Sequence, residues 1–148
     1  MKATETSTSI PVTTSVGTSA NGAPQGLTPL AAQFVLKLDS YASLPFGWNS
    51  YQAPAPSAVA IRNAKALVIS TIADSVVPER VEPSAMGGVG ITFANDHREA
   101  VIEFYNDGTA HALLSDDASG EMQTQPVSPT PDGYVRLINS VRKYLHGE

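Results

Sequence analysis

The hydrophobic period changes from helical to alternating spacing in the middle of this chain, and that change limits its fold more than any other feature. Up to about residue 74, apolar side chains such as Leu30, Phe34 and Leu38 recur at the spacing of one helix face. From Val89 onward they alternate with small or polar residues, as in Ile91, which is typical of strands. The chain therefore places at least one helix before its strands.

Capping and turn residues set the expected boundaries. Thr28-Pro29 predicts the start of a helix over about 29–43, and Ser57 predicts the N-cap of a second helix that ends near Asp74. Thr130-Pro131 precedes a third apolar repeat of helical spacing. Asn106-Asp107-Gly108 and the run 116–120 are hairpin signals between expected strands. These strands cover about 89–93, 98–105, 109–115 and 121–127.

The predicted order is therefore α-α-β-β-β-β-α. Helices and strands that are segregated in this way indicate an α+β fold, in which helices cover one face of a four-stranded antiparallel meander. Val81 leaves open a further short strand before Pro83, and Pro126 places the last strand at an edge. The absence of β-α-β alternation argues against Rossmann-type and P-loop folds.

Length and composition indicate one domain over 28–148. Residues 1–27 contain 10 Ser/Thr and few large apolar side chains, so we predict a disordered tail there. The tail lacks the charged and apolar regions of a signal peptide, and no run of 18 apolar residues occurs, which favours a cytoplasmic protein. Because the chain has no Cys, disulfides, thiolate metal sites and cysteine nucleophiles are excluded.

Acidic residues are concentrated in the middle of the chain. The formal net charge is −5, but residues 74–132 contain 11 Asp and Glu against only Arg80 and Arg98, a net −9. This balance argues against direct nucleic-acid binding. The acidic excess instead favours a protein partner with a basic surface. Acidic strands and hairpin tips would complement that surface and speed the encounter. The candidate acidic contacts are Glu99, Glu103, Asp107, Asp116, Asp117 and Glu121.

No pattern in the sequence indicates a catalytic residue, a cofactor or a metal site. Gly87-Gly88-Val89-Gly90 precedes a strand rather than a helix, so turn and strand-entry glycines are favoured over a phosphate loop. His97 could bind a metal with Glu99 only if other elements supplied ligands, and His111 and His146 lack metal-ligand spacing. A metal-assisted hydrolase that uses Asp96, His97 or His111 remains an alternative.

An aromatic segment, Leu44-Pro45-Phe46-Gly47-Trp48-Asn49-Ser50-Tyr51, lies between the first two helices. We favour Trp48 as a plug between the helices and the sheet. The alternative is that Trp48 and Tyr51 anchor a partner, since Trp and Tyr are enriched in interfaces.

The same segment, with Pro56-Ser57 after it, resembles a motif of small bacterial proteins of uncharacterised function. Their pattern is glycine-tryptophan-aspartate-x-tyrosine-x-alanine, then proline-serine, a paired-glycine strand and an acidic hairpin. Gly47 to Ala53, Gly87-Gly88-Val89 and Ile102 to Gly108 match it, although Asn49 replaces the aspartate. The resemblance covers about residues 44–115 and implies a shared fold.

Together these features predict a non-catalytic, acidic binding or inhibitory protein of bacterial or phage origin. It would serve as an accessory, immunity, antitoxin-like or anti-defence component that acts through an acidic sheet face. A homo-oligomeric module that pairs through the edge strand near 121–127 is a further alternative.

Overall fold

The computed structural model describes residues 26–147. Most of the predicted disordered tail, residues 1–25, and residue 148 lie outside this range. The described chain forms three helices and five strands in the order α1, α2, β1 to β5, α3. The helices are α1 (Pro29–Ser40, followed by a 3₁₀ turn, Tyr41–Ser43), α2 (Ala58–Ala73) and α3 (Pro131–His146). The strands are β1 (Arg80–Pro83), β2 (Gly88–Asn95), β3 (Arg98–Tyr105), β4 (Ala110–Asp116) and β5 (Glu121–Val127).

The strands form one antiparallel sheet in the order β1-β2-β3-β4-β5, so each strand pairs with its neighbour in sequence. The α+β class is confirmed. The four-strand count is wrong, because β1 pairs with β2 from Arg80↔Thr92 to Pro83↔Val89. This strand is only four residues long, and Val81 is its one fully buried side chain. So short a segment has too little alternation to be assigned from its pattern alone.

The two faces of the sheet differ in their covering. Side chains of one face, including Ile91, Ile102, Phe104 and Leu114, are buried in the core with residues from all three helices. The opposite face carries alternating residues such as Val101 and has no helix over it among residues 26–147. We call this second surface the open face.

The predicted helix starts are confirmed by their capping bonds. The hydroxyls of Thr28, Ser57 and Thr130 accept hydrogen bonds from backbone N–H groups three residues later, at 3.2, 3.2 and 3.1 Å. Each cap satisfies a donor that has no partner within its helix. Two tyrosines then join the layers. The hydroxyl of Tyr41 donates to the Val81 carbonyl at 3.0 Å, and that of Tyr134 donates to the Asn63 carbonyl at 2.9 Å.

Gly88 begins strand β2 at a point where the backbone of β3 leaves no room for a side chain. Its φ is +119°, and a Cβ atom there would lie 1.9 Å from the Phe104 carbonyl oxygen. The glycine pair therefore has the strand-entry role that its position predicts.

The β2–β3 hairpin caps the C-terminus of α3. Asn95 Nδ2 donates to the Leu145 carbonyl at 2.8 Å, and an Arg98 Nη donates to the Tyr144 carbonyl at 2.8 Å. Since the last carbonyls of a helix have no partner within it, these two side chains fix the end of α3 on the sheet.

None of the helices within residues 26–147 is long and apolar enough to cross a membrane.

Candidate partner-binding surface

The loop between α1 and α2, residues 44–57, is folded by hydrogen bonds of its own backbone. The Gly47 N–H donates to the Ala53 carbonyl at 2.8 Å, and the Ser50 N–H donates to the Gly47 carbonyl at 2.9 Å. Asn49 Oδ1 accepts from the N–H groups of Tyr51 and Ala53 at 2.9 and 3.2 Å. The loop is thus closed on itself, and the asparagine that replaces the motif's aspartate performs this closure as a neutral acceptor.

Two residues of this loop have a strained backbone. Ser50 and Gln52 have φ values of 69° and 68°, in the left-handed region that costs a side chain-bearing residue roughly 1–2 kcal/mol. Such conformations persist only where surrounding bonds fix them, and they concentrate at functional sites.

The loop presents two aromatic rings to solvent. Phe46 is 71% exposed and Tyr51 is 85% exposed. Trp48 is half-buried, lies outside the apolar core, and its indole Nε1 donates to the Pro54 carbonyl at 3.1 Å. The favoured interpretation of Trp48 as a plug between helices and sheet therefore does not match its position. Trp48 closes the loop through its bond to Pro54. Phe46, two residues earlier, is exposed, although the sequence did not lead us to predict it as a contact.

Asn106, in the β3–β4 turn, fastens the loop to the sheet. Its Oδ1 accepts from the Ser57 N–H at 2.7 Å, and its Nδ2 donates to the Ala55 carbonyl at 3.0 Å. Gly87 lies against Pro54 and Asn106, where a Cβ atom would be 2.9 Å from Pro54 Cγ. Three segments therefore meet at one end of the molecule, and we call the surface formed by 44–57, 84–87 and 106–108 the aromatic end.

A third apolar side chain and two carboxylates belong to this region. Met86 is 79% exposed on segment 84–87. Asp107 lies at the β3–β4 turn, where its Oδ1 accepts from the hydroxyl and the N–H of Thr109, and these bonds lower the pKa of Asp107. Glu103 borders the same end, since its Oε1 accepts from the Ser84 hydroxyl at 2.9 Å.

The six predicted acidic contacts do not share one surface. Only Glu99 and Glu103 lie on the open face, as expected from their spacing on β3. Arg80 approaches Glu99 at 3.8 Å and also pairs with Glu79 and Glu82, so this face is partly neutralised. Asp107 is at the aromatic end, whereas Asp116, Asp117 and Glu121 are around the β4–β5 turn at the opposite end.

Asp116 is a structural group rather than an exposed contact. Its side chain is 6% exposed and accepts from His97 Nδ1 at 2.7 Å and from Arg98 Nε at 3.2 Å. The N–H groups of Ala118 and Ser119 also donate to it, at 2.9 and 3.3 Å. Burial acts to raise the pKa of Asp116, but the hydrogen bonds from His97 and these amides outweigh burial and lower it.

The histidines and carboxylates of residues 26–147 contain no group of three that could hold a metal ion. His97 contacts Asp116, and His111 packs edge-on against Tyr105 on the open face at a centroid distance of 5.9 Å. The His97–Asp116 pair joins two turns that are 19 residues apart, so local spacing could not reveal it.

Comparison of the chain with family models, with curated proteins and with solved structures returns no match. The resemblance to small bacterial proteins therefore stays a prediction.

Proposed function

We propose that this protein is a non-catalytic binding protein whose aromatic end docks onto another protein. The observation that carries the proposal is the exposure of Phe46 and Tyr51, 71% and 85%, on a loop that hydrogen bonds hold in a strained conformation. Burying an aromatic side chain contributes about 1.5–3 kcal/mol. Because the loop is already ordered, little of that gain is lost in fixing its backbone on binding.

The chemistry of the aromatic end defines the partner surface that it fits. Phe46, Tyr51 and Met86 require an apolar pocket, and the neighbouring carboxylates of Glu103 and Asp107 favour basic side chains around that pocket. This arrangement keeps the predicted basic partner but moves the main contact from the sheet face to the end of the molecule. An inhibitory or accessory role, such as an immunity, antitoxin-like or anti-defence component, is consistent with such a docking surface.

Paired substitutions test the proposal. The partner is first isolated from source cells on the tagged protein, and its dissociation constant is then measured with both proteins purified. Phe46→Ser with Tyr51→Ser should weaken binding about 100-fold, as expected for two anchor residues. The matched control is Leu36→Ser with Val77→Ser, which changes two apolar residues that are 43% and 49% exposed elsewhere. Equal affinity of the two double variants would contradict the proposal.

The carboxylates are tested separately by salt dependence. Glu103→Gln with Asp107→Asn should slow association at low ionic strength and should have little effect at high salt, where charges are screened. Asn at position 107 keeps an oxygen that can accept from Thr109. An association rate that is insensitive to salt in the unmodified protein would remove the electrostatic part of the proposal.

A further inference from the structure

Strand β5 is an edge strand with little protection against pairing. No strand of residues 26–147 pairs with its outer side, and the residues from Met122 to Gln125 carry no charge. The other edge, β1, is four residues long and bears Arg80, Glu82 and Pro83. Short length, charge and proline are the usual protections of an edge, and the middle of β5 has none of them.

The hydrogen-bond pattern identifies which backbone groups of β5 are free to pair. The Tyr105 N–H donates to the Thr109 carbonyl, so in β4 the odd-numbered residues bond to β3 and the even-numbered residues bond to β5. The register of β4 with β5 then directs Glu121, Gln123 and Gln125 toward β4. The N–H and C=O groups of Met122 and Thr124 point outward, and Pro126 offers only its carbonyl.

We infer that β5 pairs antiparallel with β5 of a second copy of this chain, about a twofold axis at Gln123. In that register Met122 of each copy lies opposite Thr124 of the other, and their outward groups form complete pairs of backbone hydrogen bonds. The two sheets become one continuous sheet. This interface is separate from the aromatic end, so it can hold whether or not the proposed function does.

Charge complementarity favours a second copy as the occupant of this edge. Glu121 lies on the helix side of the sheet, since it pairs with Asp116, and the twofold places it opposite Gln125 of the other copy. Gln125 and Arg136 line one groove of about 260 Å³ between β5 and α3. The exposed Glu121 carboxylate of each copy thus lies at the groove that contains Arg136 of the other copy.

A proline substitution tests the pairing with little risk to the fold. In Thr124→Pro the lost N–H is one that points away from β4, so the monomer keeps its ladder while the dimer loses two hydrogen bonds. Sedimentation velocity from low micromolar to near-millimolar protein should show a dimer for the unmodified chain, and at least a tenfold weaker one for the variant. Thr124→Val, which keeps the N–H, should dimerise as the unmodified chain does.

A charge exchange provides the second, independent test. Glu121→Lys should weaken the dimer several-fold, and Arg136→Glu in the same chain should restore it. A chain that remains monomeric at near-millimolar concentration overturns the inference. A dimer that is unaffected by Thr124→Pro also overturns it, because the contact must then lie elsewhere. If Arg136→Glu does not restore the dimer affinity that Glu121→Lys lowers, the register with its twofold axis at Gln123 is wrong.

Discussion

Asp116 joins two turns of the sheet to helix α3 through a single buried carboxylate. It accepts hydrogen bonds from His97 and Arg98, and Arg98 in turn donates to the Tyr144 carbonyl. Asp116→Asn should therefore lower the midpoint of urea unfolding at neutral pH, because it removes the negative charge that the Arg98 guanidinium contacts. The control is Asp117→Asn, an exposed neighbour whose replacement should leave the midpoint unchanged.

The same carboxylate contributes a pH dependence of known sign. Since the pKa of Asp116 is lowered in the folded protein, its contribution to the free energy of unfolding is complete above about pH 5 and is lost as the pH falls. The unmodified protein should lose more stability between about pH 5 and pH 2 than Asp116→Asn does. Parallel acid profiles of the two proteins, measured by chemical denaturation, would contradict this assignment.

Among the elements, the loop 44–57 depends on a residue far from it in sequence. Asn106→Ala removes the acceptor of the Ser57 N–H and the donor to the Ala55 carbonyl, which should cost roughly 1–3 kcal/mol of stability. Amide hydrogen exchange at Gly47 and Ala53 should also become faster, because the loop loses its attachment. Asn106→Asp keeps the acceptor for the Ser57 N–H but loses the donor to the Ala55 carbonyl, so its stability should lie between those of the unmodified protein and Asn106→Ala. Unchanged exchange in the alanine variant would show that the loop's own bonds suffice.

Local signals made most elements predictable from the sequence. The cap residues Thr28 and Ser57 and the turn residues 106–108 act on their immediate neighbours, so their effect is encoded within a few positions. Strand β1 and the loop 44–57 were not predictable in the same way. Strand β1 is fixed by its pairing with β2, and the loop, which its own hydrogen bonds close, is attached to the sheet by Asn106.

At the scale of the whole molecule, the hydroxyls of Tyr41 and Tyr134, which join the helices to each other and to the sheet, make the free energy of unfolding depend on pH in the alkaline range. Burial, with a smaller effect of the Glu82 charge, raises the pKa of Tyr41 to about 12, and burial raises the pKa of Tyr134 to about 12. Their contribution to stability is complete below about pH 10, where the unfolded tyrosines begin to ionise, and it decreases between pH 10 and 12.

The corresponding variants separate this effect from general alkaline damage. Tyr41→Phe with Tyr134→Phe should be about 1 kcal/mol less stable per lost hydrogen bond at neutral pH, yet should lose less stability above pH 10. Tyr51→Phe, at an 85% exposed position, serves as the control. The comparison is made by thermal unfolding at several alkaline pH values. An equal loss of stability in the unmodified protein, the double variant and Tyr51→Phe would contradict the assignment to Tyr41 and Tyr134.

Charge counted along the chain could not locate the candidate site. The acidic excess of residues 74–132 is real, but the fold distributes it over the open face and both ends, and it buries Asp116. Whether Trp48 or Phe46 is exposed depends on a loop conformation with positive φ values at Ser50 and Gln52, which residue type alone does not specify. The aromatic segment itself was recognisable, and the orientation of its rings was not.

The position of α3 after all five strands has a consequence for synthesis on the ribosome. All five strands precede α3 in the chain, so the sheet can pair while this helix is still inside the exit tunnel. Until α3 emerges, the ring of Phe104 lacks its neighbour Tyr134 at 6.3 Å, and part of the apolar face is open to solvent. The nascent chain is therefore most prone to bind chaperones, or other nascent chains, just before helix α3 emerges from the ribosome.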